Sequence, residues 1–203
     1  MDNNKSKIWD QVYLKYQPSE LPWHHIEFPK KIIKQLTNLD KNTLIIVPGC
    51  GTGETVKTLL DNGFKNIIGT DISEVSIGIA KKNFPKVKFK RINTENLHYE
   101  NYHNINVFDW MNLHQIPSKE IEQYLLSLQK ICSNLILVYI FEPKLGKMRE
   151  SYIPESNVYN HKPERIINVI NDLTLVKKID FKFKINPNFG EKTHKAVALY
   201  FQK

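Results

Sequence analysis

The chain has 203 residues, a length that suits one domain with a full hydrophobic core. It lacks an apolar run of about 18 residues and a signal-peptide pattern, so we expect a cytoplasmic protein without a membrane span. The two cysteines and seven histidines show neither a disulfide framework nor metal-ligand spacing, so no metal site is expected. The expected oligomeric state is a monomer or a homodimer.

The formal net charge of +8 makes nucleic acid a possible partner. Much of this charge comes from lysines near residues 81–91 and 177–184. Several of them alternate with apolar residues, which is typical of the solvent face of a β-strand. The chain has only three arginines, although arginine is the preferred residue for bidentate recognition of phosphates and bases. Nucleic acid is therefore possible but not favoured.

The first 40 residues begin with an aromatic stripe. Apolar or aromatic side chains at positions 8, 9, 12, 13 and 16 have the spacing of an amphipathic helix. Pro18 ends this helix, and a rigid aromatic turn over residues 21–25 precedes a second predicted helix at 29–39. The segment is interpreted either as helices packed on the core or as a substrate lid. We assign residues 1–40 to an N-terminal helical cap and residues 41–203 to the core of the same domain.

Residues 44–53 form an apolar strand that breaks into three glycines, Gly49, Gly51 and Gly53. Glycines at alternate positions allow a tight turn with positive φ and leave no Cβ to block a ligand. The next run, residues 54–62, predicts a helix whose free N–H groups face the loop. This pattern is typical of a nucleotide-binding loop, and an ordinary strand-to-helix turn is the alternative.

A second apolar segment ends in Asp71, 18 residues beyond Gly53. In a βαβ unit the second strand pairs beside the first, so its terminal carboxylate faces the ligand and can accept the ribose hydroxyls. Strand, glycine loop, helix, strand and acid together favour a nucleoside site. The third glycine comes one residue earlier than in a dinucleotide fingerprint, and Glu54 would repel a pyrophosphate. The ligand is therefore expected to lack phosphates.

These residues resemble the first two motifs of the class I S-adenosylmethionine (SAM) dependent methyltransferases, a likeness that runs from about Leu44 to Lys203. The resemblance implies an α/β fold: a three-layer Rossmann-like sandwich with a seven-stranded, mostly parallel sheet, one antiparallel C-terminal strand and helices on both faces. It implies SAM as the cofactor and S-adenosylhomocysteine (SAH) as its product. The implied cofactor-binding residues are Gly49, Gly51, Gly53, Asp71, Ile72, Asn93, Thr94, Asp109 and Trp110.

The rest of the pattern fits that frame. Residues 75–84 predict a helix, and residues 87–92 alternate with the period of a strand. The later predicted elements are a strand at 105–114 that runs into a loop, a helix at 119–132, a strand at 134–141, a helix at 163–173 and strands at 175–185 and 196–201. Residues 151–161 show no clear periodicity, which favours a connector over a substrate loop.

The activity that the resemblance implies is transfer of the SAM methyl group to an O, N or S atom of a small-molecule acceptor. RNA or protein methylation, and a catalytically silent partner subunit of the same fold, are the alternatives. Trp9 begins a Trp-Asp-x-x-Tyr segment that is similar to the N-terminal cap of thiopurine, thiol and tellurite-resistance methyltransferases. Residues 109–112 lack the Asp/Asn-Pro-Pro-Tyr signature of base and glutamine N-methylation.

Methyl transfer gains much of its rate from proximity and alignment, and a general base would help a hydroxyl or ammonium acceptor. His114, one turn past Asp109 near the expected methyl position, is the first candidate, with a structural histidine as the alternative. Further candidates from the N-terminal segment are His24, His25, Tyr13 and Tyr16.

Overall fold

The computed structural model describes residues 3–24, 27–93, 101–142, 148–149, 153, 156–186, 188 and 193–203. Its strands form one sheet of seven and one sheet of two. In chain order the strands are β1 (Ile45–Pro48), β2 (Ile67–Asp71), β3 (Lys88–Arg91), β4 (Ile105–Trp110), β5 (Cys132–Ile140), β6 (Met148–Arg149), β7 (Val158–Tyr159), β8 (Thr174–Lys184) and β9 (Thr193–Gln202).

Six α-helices accompany the sheets within the described ranges. They are α1 (Asn3–Lys15), α2 (Lys30–Leu36), α3 (Glu54–Asp61), α4 (Glu74–Asn83), α5 (Ile121–Ile131) and α6 (Pro163–Val169). The longest, α1, has 13 residues. None of these described helices combines the length and the apolar character needed to cross a membrane.

The seven-stranded sheet has the order β3-β2-β1-β4-β5-β9-β8. Neighbouring strands from β3 to β5 pair in parallel, whereas β9 is antiparallel to both β5 and β8. β9 is therefore the one strand that runs against the others, as the sequence predicts. The strand order reverses between β1 and β4, and in open α/β sheets ligands bind outside the carboxyl ends of the strands at such a point.

Different helices cover the two faces of the sheet. Helices α2, α3 and α4 contribute side chains such as Ile32, Val56 and Ile77 to the core on one face. Helices α5 and α6 contribute side chains such as Leu125 and Ile166 to the core on the other. Because both faces are covered, every residue of β1, β2 and β4 is buried. The three-layer α/β architecture predicted from the sequence is confirmed.

Several element boundaries differ from the predictions. The second helix begins at Lys30 because Pro29 takes the N-cap position, and it ends at Leu36. α6 stops at Val169, before the predicted end at residue 173. β5 follows α5 directly at Cys132, without the predicted break. The connector predicted at 151–161 contains β7, which pairs with β6.

Candidate active site

The carboxyl ends of the parallel strands surround a cavity of about 760 Å³. This volume lies in the range of small-molecule sites. Its lining comes from the N-terminal segment up to Phe28, the loop after β1 with α3, the ends of β2 and α4, the residues after β3 and β4, and from β5, β7 and the end of β8. The cavity thus lies at the strand-order reversal, where the fold favours a ligand.

The glycine loop after β1 is left-handed at all three of its glycines. Gly49, Gly51 and Gly53 have φ values of 60°, 53° and 102°. A Cβ at Gly49 would overlap the Asn112 side chain, and one at Gly53 would lie 2.6 Å from the Phe84 ring. Conformation and close packing therefore both require glycine here.

Asp71, the last residue of β2, orients the glycine loop. Its Oδ2 accepts the Gly51 N–H at 2.9 Å, and its Oδ1 accepts the Ser73 N–H at 2.9 Å. Burial raises the pKa of Asp71, and the backbone hydrogen bonds partly oppose that rise. The carboxyl group lines the cavity beside the loop that it orients. As the sequence predicts, Asp71 lies beside the glycine loop.

The turn after β4 is held by a buried carboxylate. Asp109 Oδ1 accepts the N–H groups of Asn112 and Leu113 at 3.0 and 3.2 Å, and its Oδ2 accepts the Tyr124 hydroxyl. Burial raises the pKa of Asp109 to about 6, although these hydrogen bonds oppose the rise. Met111, within this turn, has a φ of 62°, a strained conformation for a non-glycine residue. These hydrogen bonds fix the backbone of the turn, which carries the cavity residues Asn112 and His114.

The end of β4 and the turn after it also place an aromatic ring and a histidine at the cavity. The Phe28 ring stacks on the Trp110 ring with centroids 4.0 Å apart and an interplanar angle of 25°. His114 lies in a short 3₁₀ turn, Leu113–Gln115, is buried, and lines the cavity. Trp110 and His114 therefore line the same cavity.

The N-terminal segment is attached to both sides of the cavity. Asp10 Oδ1 accepts the Ser73 hydroxyl at 2.6 Å and the Val75 N–H at 3.2 Å, which joins α1 to the start of α4. Lys5 pairs with Glu120, which precedes α5. These contacts hold α1 between the β2 and β4 sides of the site.

The turn after α1 is anchored to the far end of the sheet. The Asn186 amide donates to the carbonyl oxygens of Ser19 and Leu21 at 2.8 and 3.0 Å. The Asn186 N–H donates to the Pro22 carbonyl at 3.0 Å. The segment therefore reaches from β2 to the residues that follow β8.

Three N-terminal rings line the cavity together. The ring centroids of Trp9, Tyr13 and Trp23 lie 5.9 to 6.4 Å apart. A Cβ at Gly51 would lie 2.8 Å from the Tyr13 hydroxyl, so the cluster reaches the glycine loop. Burial, reinforced by the charges of Asp71 and other nearby acids, raises the pKa of Tyr13 well above its usual range. The Tyr13 hydroxyl is thus neutral at ordinary pH.

The structure brings most of the sequence-predicted residues together. Those that line the cavity are Gly49, Gly51, Asp71, Ile72, Asn93, Trp110, Tyr13, His24 and His114. Gly53 shapes the loop without lining the cavity, and Tyr16 does not line it. His25 and Thr94 lie outside the described residues. Asp109 is not among the lining residues, and its carboxylate accepts hydrogen bonds from within the protein, so its cofactor contact stays a prediction.

Sequence reasoning missed several residues that line the cavity. Asn112 and Phe28 carry no motif of their own, and their roles follow from contacts with Gly49 and Trp110. Phe183 and Ile185 come from the end of β8, more than a hundred residues beyond the glycine loop. No pattern in the sequence connects these positions to the site.

The lining suits a cationic donor of the SAM kind. Its charged residues within the described ranges are the acids Glu27, Glu54, Asp61 and Asp71 and the bases Lys5 and Lys57. This excess of carboxylates complements a sulfonium charge. Asp71 offers acceptor oxygens for ribose hydroxyls, and Ile72 and Asn93 offer an apolar and a polar contact for adenine. The described residues contain no group of three or more potential metal ligands.

Residues 45–134 match the protein family described as "Methyltransferase domain". This matched stretch runs from the start of β1 to the third residue of β5. A SAM-dependent methyltransferase from Anabaena variabilis has the same fold, with a TM-score of 0.77 and 16% identity over 99% of this chain and 96% of that one. Magnesium protoporphyrin IX methyltransferase from Synechocystis, solved with bound SAH, gives a TM-score of 0.63 and 16% identity over 100% and 95%. The predicted fold of a SAM-dependent methyltransferase is confirmed.

One curated relative adds a likeness in sequence. An uncharacterised protein of Haemophilus influenzae is 30% identical over 89 residues. The match covers 41% of this chain and 35% of the relative. The chain thus spans about a third of that protein's length.

Proposed function

We propose that this protein transfers the methyl group of SAM to an O, N or S atom of a small molecule. The observation that carries this proposal is one cavity that joins the glycine loop and Asp71 to a compartment of aromatic side chains under the N-terminal segment. SAM, when bound, supplies an activated methyl group for a single displacement. The residues of the chain bind, align and exclude water.

The donor residues are proposed at the β1 to β3 side of the cavity. Asp71 accepts the ribose hydroxyls, and its hydrogen bond to Gly51 keeps the loop in the orientation that the ligand needs. Ile72 packs on the adenine and Asn93 contacts its polar edge, since both line the cavity next to Asp71. Gly49 and Gly53 leave the loop free of Cβ atoms that would displace neighbouring side chains.

His114 is the proposed general base. Among the described residues that line the cavity, it is the titratable side chain that comes from the turn after β4. A ring nitrogen would hold the proton that a hydroxyl or amine loses as it is methylated. His24 lies instead beside the glycine loop, with its Nδ1 3.3 Å from Glu54 Oε1. This position suits a contact with SAM better than one with the methyl acceptor.

The distribution of charge favours a small acceptor over nucleic acid. The lysines at 88, 90, 182 and 184 lie on β3 and β8, the two edge strands of the sheet. The described cavity lining instead has more carboxylates than ammonium groups, which would repel a phosphate backbone. Magnesium protoporphyrin IX methyltransferase, a fold neighbour, is itself named for a small-molecule acceptor.

The donor assignment is tested by calorimetric titration of SAH into the protein and two variants. We expect SAH to bind, and Asp71→Ala to weaken binding at least about tenfold, because a charge-assisted hydrogen bond is worth about 1.5–3 kcal/mol. Asp172→Ala removes an exposed acid outside the cavity and is the matched control.

Thermal unfolding of both variants shows whether they remain folded. A folded Asp71→Ala protein with unchanged SAH affinity would remove the ribose assignment. A wild-type protein that binds no SAH would favour the silent partner subunit.

A further inference from the structure

The cavity is chemically divided along the carboxyl edge of the sheet. The glycine loop after β1, Asp71 at the end of β2 and Asn93 after β3 supply polar groups. Strands β4, β5, β7 and β8 supply mainly apolar side chains, and the polar ones on this side are Asn112, His114 and Gln115 of the turn after β4. We call the following apolar side chains the apolar compartment: Trp110, Met111, Ile140, Val158, Phe183 and Ile185.

The formal charges of the described lining come from a limited set of elements. Within the described lining, the carboxylates and ammonium groups come from the N-terminal segment, β2 and the glycine loop with α3. Among the described lining residues, no charged side chain comes from the ends of β4, β5, β7 or β8. An ionised ligand placed in the apolar compartment would lose its hydration without gaining a partner of opposite charge there.

Flat rings form part of the compartment. The Trp110 ring is held by its stack with Phe28, and the Phe183 ring lies tilted by 43° against the His194 ring, with centroids 6.0 Å apart. Both aromatic residues are at most 7% exposed, so their rings are fixed by packing. Fixed aromatic walls favour ligands that can stack or meet them edge to face.

We propose that the apolar compartment binds an uncharged, ring-containing methyl acceptor. This inference rests on the proposed function, because it names the class of molecule that occupies the acceptor side of the same cavity. His114 places one polar, titratable group beside the compartment, so the acceptor carries its nucleophilic atom on an otherwise apolar ring system.

Three naphthalene probes of similar size test the charge preference. They are 2-naphthol, which is neutral at pH 7, 2-naphthoate, an anion, and 2-naphthylmethylammonium, a cation. Each is titrated calorimetrically into the protein alone and into the protein saturated with SAH. We expect 2-naphthol to bind at least about tenfold more tightly than either ion. Equal or tighter binding of an ion, or no binding of 2-naphthol at millimolar concentration, would overturn the proposal.

Two phenylalanines of β8 provide a matched pair of variants. Phe181 and Phe183 are two residues apart on the same face of the strand and are equally exposed, at 7%, but only Phe183 lines the cavity. We expect Phe183→Leu to weaken 2-naphthol binding about fivefold and Phe181→Leu to leave it unchanged. The same loss in both variants would show a general effect on the core and count against the compartment.

A third variant introduces charge at the strand end. Ile185→Lys should reverse the preference, so that 2-naphthoate binds more tightly than 2-naphthol, and an unchanged preference would contradict the proposal. SAH titration separates this inference from the proposed function. SAH binding without 2-naphthol binding defeats only the acceptor class, whereas 2-naphthol binding without SAH binding defeats only the donor assignment.

Discussion

The two sides of the cavity are built in different ways. The donor side uses residues 49–93, a continuous βαβ stretch in which backbone N–H groups orient Asp71. The acceptor side gathers side chains from β4, β5, β7 and β8 and from the N-terminal segment. Recognition of the donor is thus a property of local sequence, whereas recognition of the acceptor depends on the assembly of distant elements.

The two sides meet at Gly49. Its Cα faces the Asn112 side chain so closely that a Cβ would overlap it. Asn112 is held in turn by Asp109 and by the Tyr124 hydroxyl, to which its amide donates at 3.1 Å. The position of the glycine loop is therefore fixed from both sides.

Gly49→Ala should produce the largest effect of the changes considered. The new Cβ meets Asn112, and a φ of 60° is itself strained for alanine, at about 1–2 kcal/mol. We expect SAH affinity to fall by at least about a hundredfold, with lower stability, measured by calorimetry and urea unfolding.

Gly78→Ala is the control for this substitution. Gly78 lies within α4, and an added Cβ would have no neighbour within 4 Å. Alanine there should stabilise the protein by about 0.5–1 kcal/mol and leave SAH binding unchanged. If Gly49→Ala behaved like Gly78→Ala, the two sides would not be coupled through Asn112.

The same contrast explains which features the sequence predicts. Gly49, Gly51 and Asp71 are predictable because their spacing and the strand pattern around them specify one βαβ geometry. Phe183 enters the site only because β9 places β8 beside it in the sheet. Nothing in the sequence near Phe183 indicates this position.

Asp109 shows what the strand pattern alone leaves open. Its place at the end of a predicted strand indicates a ligand contact, as it does for Asp71. Only the structure shows that Tyr124, from α5, and the following backbone N–H groups occupy its carboxylate. Whether an acid at the end of a strand binds a ligand or bonds within the protein depends on partners that include residues distant in sequence.

Asp109 and Asp71 should therefore respond differently to pH and ligand. For Asp109 the pKa rises from 3.8 to about 6 on folding, so the native state retains a proton that the unfolded state loses between these values. Its contribution favours folding at pH 4 and is lost as the pH rises through about 6, a change on the order of 3 kcal/mol. Asp109→Asn should lack this part of the pH dependence in urea unfolding.

Tyr124→Phe sharpens this prediction. The Tyr124 hydrogen bond lowers the pKa of Asp109, so its removal should extend the loss of stability to higher pH. SAH should change the pH dependence through Asp71, which lines the cavity, and leave the Asp109 contribution as it is. Parallel pH profiles for wild type and Asp109→Asn would contradict the assignment.

The smallest expected effect concerns the N-terminal segment, which touches both sides of the cavity. Asp10 accepts hydrogen bonds from Ser73 and Val75 at the start of α4, where a carboxylate is favoured by the helix dipole. Asp10→Ala should cost about 1 kcal/mol of stability and increase hydrogen exchange in α1. Gln11→Ala, at an exposed position of the same helix, is the control. If both variants exchanged alike, α1 would be held by its aromatic contacts, and its attachment to the donor side would not depend on Asp10.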